Sequence, residues 1–281
     1  MVLLDGRSAL AAERLPAAGA ALAHCVLCAH RCGVDRRYGP AGACKAGDQA
    51  RVFSAQIEVG DELEFLPTYA IALSGCDIRC SFCVTGRESW DARAGASLSA
   101  RALAGQAGAA WASGAAKTVM ILGGEPTIHV PWLLEFAAAL PEKTPLVLKT
   151  NGVCTAAARD LLAGLFDTWL VDFKFGNDAC ASAVARIPGY VAAVQEALAW
   201  AAAESELVVR HLLLPGHVEC CWRPIARRLA AQMPGVKVSL CFGYWPAWVA
   251  AKSGALARGI SAEEQASALA IAREARLNLI S

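Results

Sequence analysis

Between Pro67 and Tyr244 the chain alternates short apolar runs with Ala-rich segments, and this alternation restricts its fold more than any other feature. The apolar runs have the length of buried strands, and the segments between them have the periodicity of amphipathic helices. Strands that alternate with helices form a parallel sheet covered by those helices. Six strands are predicted, near residues 70–74, 118–122, 145–150, 168–174, 207–214 and 236–242, with helices near 98–113, 131–140, 155–164, 190–204 and 222–233.

Two shorter regions flank this α/β part, which we place at residues 67–245. Residues 1–66 contain a predicted helix from about Ser8 to Ala23, a group of cysteines and a short strand. Residues 246–281 contain a helix that starts near Ser261, a typical N-cap residue followed by acidic residues. We expect a small Cys-rich extension before the α/β domain and a helical extension after it, covering one end of the sheet.

Composition excludes several classes of protein. Hydrophobic residues make up 56% of the 281, but no apolar run reaches the roughly 18–20 residues that span a bilayer. The first residues lack the pattern of a secretory signal. A formal net charge of +1 gives no basic surface for nucleic acid. We therefore expect a cytoplasmic protein without membrane or nucleic-acid partners, in which 12 cysteines serve metal or redox chemistry rather than disulfides.

Three cysteines, Cys76, Cys80 and Cys83, follow directly after the first apolar run of the α/β domain. They lie at the carboxyl end of a predicted strand, where barrels of this kind place their chemistry. Three thiolates on one loop hold three corners of an iron–sulfur cube and leave one iron open, whereas an ordinary [4Fe–4S] cluster takes four. The alternatives are half of a zinc site, although no fourth ligand follows Cys83, or a chance grouping.

The Cys-x3-Cys-x2-Cys loop resembles the cluster loop of the radical S-adenosylmethionine (SAM) enzymes. Phe82 matches the aromatic residue that packs near the adenine of SAM in that family. Gly123, Gly124 and Glu125, followed by proline, resemble the family motif whose backbone and carboxylate receive the SAM amino group. A Gly-Gly-Glu-Pro run on its own is more often a turn. Here it follows the second predicted strand, which is its position in the family. The resemblance implies an open, partial (β/α)6 barrel.

Three further strand ends resemble one branch of this family, which contains the pyruvate formate-lyase activating enzyme, other activases of glycyl radical enzymes and their uncharacterised relatives. Thr150 begins a Thr-Asn-Gly run, and Asp172 and Lys174 form Asp-x-Lys. The resemblance places these three residues at the methionine end of SAM, with Lys174 facing its carboxylate. A solvated ion pair is the alternative for Asp172 and Lys174. For Arg210 on the next strand, SAM contact and a structural ion pair both stay open.

Departures from that branch put the substrate in doubt but not the cleavage of SAM. Activases carry an Asp that helps bind a monovalent cation where this chain has Lys149, so we expect the ammonium of Lys149 to replace that cation. Tyr244 stands where activases have a histidine, and either packs on the adenosine or is a core aromatic.

Four cysteines of the N-terminal extension, Cys25, Cys28, Cys32 and Cys44, form a second group. A similar pattern precedes the barrel in the uncharacterised relatives. Four thiolates close a tetrahedral zinc site or hold an auxiliary iron–sulfur cluster, and otherwise they pack as small apolar side chains. The other five cysteines lack ligand spacing, so core packing is expected for Cys154, Cys180, Cys220, Cys221 and Cys241.

These observations predict a radical SAM enzyme with a [4Fe–4S] cluster and SAM as cofactors. An external one-electron donor of the flavodoxin or ferredoxin type would reduce the cluster, and SAM cleavage would give methionine and a 5′-deoxyadenosyl radical that removes a hydrogen atom from the substrate. The substrate is either a protein or peptide, as for activases, or a small molecule. A non-catalytic electron-transfer protein is the rival, but it would not need the predicted SAM pocket. No catalytic residue is assigned beyond the cluster.

Overall fold

The computed structural model describes residues 6–60, 63–252 and 254–280. The predicted ranges 1–66 and 246–281 therefore include a few residues that lie outside the described part. The centre of the molecule is one eight-stranded sheet whose strands follow one another in chain order. The strands are β1 (Val52–Glu58), β2 (Thr68–Leu73), β3 (Thr118–Gly123), β4 (Leu146–Thr150), β5 (Thr168–Asp172), β6 (Glu206–Leu212), β7 (Lys237–Cys241) and β8 (Asn278–Ile280).

The sheet is parallel from β2 to β8, and only β1 runs antiparallel to its neighbour. Strands β1 and β8 are its two edges, so the barrel is open. The helices are α1 (Arg7–Ala21), α2 (Gly86–Trp90), α3 (Ala100–Ala112), α4 (Val130–Ala139), α5 (Ala156–Leu162), α6 (Asp178–Ala185), α7 (Tyr190–Glu204), α8 (Arg223–Gln232) and α9 (Ala262–Glu274).

The predicted fold class is confirmed, and the six predicted strands correspond to β2–β7. The C-terminal extension contains its predicted helix and also a strand that was not predicted, β8, which pairs with β7 and enlarges the sheet. Helices α2 and α6 were also not predicted. The helix predicted near Ser261 is present as α9, and Ser261 forms a capping box with Glu264.

Both faces of the parallel strands are apolar, as expected for a sheet covered on both sides. The larger core lies between the sheet and the helices. A smaller cluster of Phe65, Met120, Val147, Leu170 and Val208 takes one residue from each of β3–β6 and packs separately. Polar side chains such as Thr150 and Asp172 come later along the same strands, so the site forms at their carboxyl ends.

The N-terminal extension is packed against the barrel. Helix α1 lies on α4, and the fully buried Arg7 donates to the carbonyl oxygens of Pro141, Glu142 and Thr144 at 2.8, 2.9 and 3.1 Å. Its guanidinium also lies 3.4 Å from the carboxylate of Asp167. Within the described ranges, no helix combines the length and the apolar character needed to cross a membrane.

Candidate active site

A cavity of about 500 Å³ opens at the carboxyl ends of the parallel strands. This is within the usual range of small-molecule sites, roughly 300–1,000 Å³. It brings together the predicted cluster and SAM residues except Glu125. The lining includes Cys76, Cys80, Phe82, Cys83, Gly123, Gly124, Lys149, Thr150, Asn151, Asp172, Lys174 and Arg210.

The cysteine loop leaves β2 through Gly75, whose φ of +86° suits glycine. Backbone hydrogen bonds hold the loop against the end of α6: Arg79 N donates to Ala185 O at 2.8 Å and Ser81 N to Val184 O at 2.9 Å. Cys76 and Cys80 are buried and Cys83 is partly buried. Burial raises the pKa of the Cys80 thiol to about 12, against the opposing effect of Lys174. Burial, together with Asp77, also raises the pKa of the Cys76 thiol well above its usual value. Metal binding at this loop must therefore release protons.

The two glycines at the end of β3 allow two backbone segments to meet. A Cβ atom on Gly124 would lie 1.9 Å from Gly75 O, and one on Gly123 would lie 2.3 Å from Leu73 O. In this arrangement Gly124 N donates to Leu73 O at 2.8 Å and Glu125 N to Gly75 O at 2.9 Å. The glycine pair thus fixes the cysteine loop to β3 and leaves bare backbone facing the cavity.

Glu125 lies behind the cavity rather than in its lining. Its fully buried carboxylate accepts hydrogen bonds from Thr127 Oγ1 and Thr150 Oγ1, both at 2.7 Å, and from Asn151 N, also at 2.7 Å. Burial, with a contribution from Asp77, raises the pKa of Glu125 to about 7. Glu125 therefore joins the ends of β3 and β4, and its predicted contact with the SAM amino group stays a prediction.

Asp172 lies among three cations at the ends of β4, β5 and β6. Its carboxylate accepts from Arg210 Nη1 at 3.1 Å and pairs with Lys174 Nζ. Although burial alone would raise it, Lys174, Arg210 and Lys149 hold the pKa of Asp172 far below its usual value. The side chains of Asp172 and Lys174 are only 12% and 16% exposed, so they are not the solvated pair considered as the alternative. Among the described residues, three cationic side chains lie close to this one carboxylate, an arrangement that suits an anionic group of a ligand.

Sequence analysis missed Asp77, which lies between the first two cluster cysteines. It is buried, and Asn151 Nδ2 donates to its Oδ1 at 2.7 Å. Among the residues that the structure describes, none donates a hydrogen bond to Oδ2. A buried carboxylate oxygen without a partner is uncommon. Only its place inside the cysteine loop could have drawn attention to it.

Aromatic side chains close one wall of the cavity. Phe82 lies 6.1 Å from the ring of Tyr244 and 6.4 Å from that of Phe175. Tyr244 is buried and donates to Leu256 O at 2.6 Å, so it packs behind Phe82 as a core aromatic. Ala250 N donates to Ser81 O at 2.9 Å, which ties the C-terminal extension to the cysteine loop.

The four N-terminal cysteines surround a small separate cavity together with the buried side chain of Arg36. Arg36 Nη1 lies 3.5 Å from Cys25 Sγ. This region contacts the cluster loop directly, because His30 Nε2 donates to Asp77 O at 2.7 Å and Arg79 Nη2 to Ala43 O at 2.9 Å. The structure thus brings Cys25, Cys28, Cys32 and Cys44 together beside the candidate active site.

Core packing is confirmed for Cys221, which is fully buried in the main core, but it is the wrong expectation for the exposed Cys220. Cys180 is partly buried, and all three thiols lie close to His217 in the segments that follow β5 and β6. Sequence spacing could not reveal this group, because Cys180 lies on α6, far from the other three residues in the chain. Cys154 is buried, as expected.

An open α/β barrel with three thiols on the loop after its first parallel strand defines the class of iron–sulfur enzymes that bind SAM. A model of the radical SAM superfamily matches residues 71–229, more than half of the chain. The chain therefore belongs to the radical SAM superfamily. Its cofactors are accordingly a [4Fe–4S] cluster and SAM, as predicted, and the three-thiol donor set and the size of the cavity fit both groups.

The chain is also similar to individual proteins of known sequence or structure. The chain is 27% identical over 272 residues to an uncharacterized protein of Methanocaldococcus jannaschii, a match that covers 92% of this chain and 76% of that one. A radical SAM methyltransferase from Sphaerobacter thermophilus has a TM-score of 0.53 at 18% identity, covering 75% of this chain and 65% of that one.

SuiB from Streptococcus suis, in a crystal structure bound to S-adenosylmethionine, has a TM-score of 0.50 at 16% identity. That match covers 73% of this chain and 47% of SuiB, so the chain spans about half the length of SuiB. At these identities, the two solved structures show a shared fold only.

Proposed function

We propose that this radical SAM protein binds its cluster through Cys76, Cys80 and Cys83 and modifies a protein or peptide substrate. The three thiols would hold a [4Fe–4S] cluster, which once reduced by an external donor would supply the electron for splitting SAM into methionine and a 5′-deoxyadenosyl radical that takes a hydrogen atom from the substrate. The observation that carries the proposal is the meeting of three thiols and three cations, Lys149, Lys174 and Arg210, around one cavity.

The chain's own residues would bind and orient SAM. Lys174 and Arg210 offer charged donors to its carboxylate, and Asp172 holds both donors in place through its two oxygens. The bare backbone at Gly123 and Gly124 and the hydroxyl of Thr150 suit the amino end, and Phe82 suits the adenine. Lys149 supplies a fixed positive charge where activases use a monovalent cation.

Apolar side chains would keep water from the reacting atoms. Ile78, Phe82, Leu122 and Leu212 form apolar parts of the cavity wall. The C-terminal extension, held to the loop by the hydrogen bond from Ala250 to Ser81, covers one side. A dry site protects a reactive radical from side reactions.

A protein or peptide substrate is proposed from the resemblance to activases and from the apolar rim. Val84 lines the cavity and is 75% exposed, and Trp245, close to the lining residue Gly243, is 72% exposed. Both side chains would be accessible to a protein or peptide that approaches the cavity. A small-molecule substrate and a non-catalytic electron-transfer role are the alternatives. An external donor of the flavodoxin or ferredoxin type and a cytoplasmic location remain predictions.

We also propose a metal centre at Cys25, Cys28, Cys32 and Cys44. The buried Arg36 beside Cys25 offers a positive charge to thiolates. Four thiols around one small cavity fit either a tetrahedral zinc ion or an auxiliary iron–sulfur cluster.

The test is anaerobic reconstitution of the wild type, of a variant with Cys76, Cys80 and Cys83 all changed to Ala, and of Cys241→Ala as the control. Iron and sulfide are measured per chain, and 5′-deoxyadenosine is measured after reduction with dithionite and addition of SAM. We expect the triple variant to lose about four irons and all 5′-deoxyadenosine, while the control keeps both. A wild type that holds its cluster but never cleaves SAM would instead favour the electron-transfer role.

A further inference from the structure

Cys180, His217, Cys220 and Cys221 lie together on a part of the molecule that the proposed reaction does not use. Cys180 is in the first turn of α6, after β5, and the other three are in the segment between β6 and α8. Their four ligand atoms all lie within 4.8 Å of one another. We propose that these four residues form a structural zinc site, separate from the cluster loop and from the N-terminal cysteines.

The distances are those of a tetrahedral zinc site. Cys220 Sγ lies 3.8 Å from Cys180 Sγ and 3.9 Å from Cys221 Sγ. His217 Nδ1 lies 3.5 Å from both Cys220 Sγ and Cys221 Sγ. Zinc bonds of about 2.3 Å to sulfur and about 2.05 Å to nitrogen, at tetrahedral angles, place two sulfurs about 3.8 Å apart and a sulfur and a nitrogen about 3.6 Å apart. A disulfide would require about 2.05 Å between sulfurs.

The local backbone brings the ligands to one side. Val218–Trp222 is a single π-helical segment, in which Trp222 N donates to His217 O at 3.1 Å. π-Helical turns are rare and often occur at functional sites. In this turn the thiols of Cys220 and Cys221 both lie 3.5 Å from His217 Nδ1. The three side chains are turned toward the start of α6, where Cys180 completes the set.

Asn177 supports the ligands from outside. Its Nδ2 lies 3.2 Å from Cys180 Sγ and donates to Cys220 O at 2.7 Å, while its Oδ1 accepts from Cys180 N at 2.8 Å. Hydrogen bonds of this kind orient metal ligands and stabilise thiolates. A Cβ atom on Gly176 would lie 2.3 Å from Cys221 O, so glycine lets the two segments approach closely enough to share one ion.

Four protein ligands close the coordination sphere, so the zinc would be structural rather than catalytic. It would link the segment after β5, which contains Lys174, to the segment that follows β6, the strand that carries Arg210. The site thus holds in register the two strand ends that meet at Asp172. This inference does not depend on the proposed reaction.

The first experiment measures zinc and iron per chain in the full-length protein as purified from zinc-supplemented medium. The wild type is compared with Cys180→Ser and Cys220→Ser, and with Cys241→Ser as a control whose thiol lies on β7. We expect each ligand variant to hold about one zinc less than the wild type, with unchanged iron, and the control to match the wild type. Equal zinc in all four proteins, loss of iron instead of zinc, or a disulfide among these cysteines in the intact mass would each overturn the proposal.

Cobalt provides a second readout if a ligand variant fails to fold. Metal-stripped protein carrying Cys28→Ser and Cys32→Ser, which disable the N-terminal group, is titrated with Co²⁺. About one equivalent should bind with the intense visible bands of tetrahedral cobalt and thiolate charge-transfer absorption. Adding Cys220→Ser should abolish those bands, and adding Cys241→Ser should leave them intact. Octahedral, weakly absorbing cobalt in the starting protein would overturn the proposal.

Discussion

Asp172 controls the charge of the candidate site through contacts on both of its carboxylate oxygens. One oxygen pairs with Lys174 and the other accepts from Arg210 at 3.1 Å. The pKa of Lys174 is held above its usual value by Asp172, although burial alone would lower it. Both partners therefore stay charged at neutral pH, and the cations are directed at the cavity even before a ligand binds. Preorganised donors of this kind bind anionic groups with little reorganisation.

Replacing Lys174 should weaken the binding of SAM without removing the cluster. Lys174→Gln deletes one charged donor of the proposed carboxylate site, and we expect the dissociation constant for SAM to rise on the order of tenfold or more. Iron and sulfide per chain should stay at wild-type values, because Lys174 is not a thiol ligand. Equilibrium dialysis of reconstituted protein measures both effects. Lys237→Gln is the matched control, because Lys237 begins β7 and so lies at the end of the sheet away from the cavity. An unchanged SAM affinity in Lys174→Gln would exclude the proposed contact.

His211 should make stability fall in mild acid. Its ring is fully enclosed, donates from Nδ1 to Phe173 O at 2.7 Å and stacks on Trp222. Burial lowers its pKa from 6.5 to about 4. Between pH 6.5 and pH 4 the unfolded chain binds a proton at His211 that the folded chain does not bind. The free energy of unfolding therefore decreases as the pH is lowered, by at most about 1.4 kcal/mol per pH unit and by about 3 kcal/mol over the whole interval.

Urea unfolding of the wild type and of His211→Gln at several pH values from 4 to 7.5 measures this contribution, because titrations shared by both proteins cancel in the difference. The free energy of unfolding of His211→Gln should decrease less than that of the wild type as the pH is lowered over this range. Parallel curves for the two proteins would mean that His211 titrates alike in the folded and unfolded chains.

Most candidate site residues could be predicted from the sequence, because cysteine spacing and strand-end motifs are local signals. Cys76, Cys80, Cys83 and Lys174 all line the cavity, as expected of a single site. The hydrogen bonds of Glu125 to Thr150 and Asn151 could not be predicted, because they depend on the close approach of two strands. The same limit hid the contact between Cys180 and Cys220.

At the scale of elements, the junction between β2 and β3 shapes the site most directly. Leu73 and Gly123 are paired at the end of the two strands, and the cysteine loop and the glycine pair leave from that point together. The glycines are needed because backbone atoms occupy the positions of their missing side chains. A side chain at Gly123 or Gly124 would collide with backbone atoms, so it would displace the cysteine loop itself rather than a neighbouring side chain.

Two glycine substitutions should therefore have opposite effects. Gly124→Ala should lower the free energy of unfolding by on the order of 3 kcal/mol, because its Cβ would lie 1.9 Å from Gly75 O. Gly105→Ala, within α3 and with open space around it, should raise stability by about 0.5–1 kcal/mol. Urea unfolding measures both changes. A neutral Gly124→Ala would show that the loop moves aside without cost.

The elements that sequence analysis missed are short or lack a periodic pattern. Strand β8 has three residues, and α2 has five. Such lengths cannot show an alternation or a helical stripe, and their formation depends on the packing of neighbouring parts of the chain. The π-helical turn before α8 is likewise invisible to an analysis that tests only periods of 2 and 3.6 residues.

At the scale of the whole molecule, both extensions contribute to the barrel. Strand β1 pairs with β2, β8 pairs with β7, and α1 packs on α4. The predicted division at residues 66 and 245 was based on composition and motifs, which cannot show how segments pack. The N-terminal extension, through His30 and Ala43, and the C-terminal extension, through Ala250, both contact the cluster loop, so changes in either region should reach the candidate active site.

Arg7 should reveal whether the N-terminal extension folds together with the barrel. Its buried guanidinium satisfies three carbonyl oxygens after α4 and faces the buried Asp167 at 3.4 Å. Arg7→Ala removes the donors of three carbonyl oxygens together with the buried ion pair to Asp167, and should cost about 3–5 kcal/mol. If the extension and barrel unfold as one unit, the urea midpoints followed by far-UV circular dichroism and by tryptophan fluorescence should both shift and still coincide. Arg101→Ala, at an exposed position of α3, is the control and should change stability by less than about 0.5 kcal/mol. Separate transitions in Arg7→Ala, with an unchanged main midpoint, would instead show that the extension unfolds independently and that the barrel is stable without it.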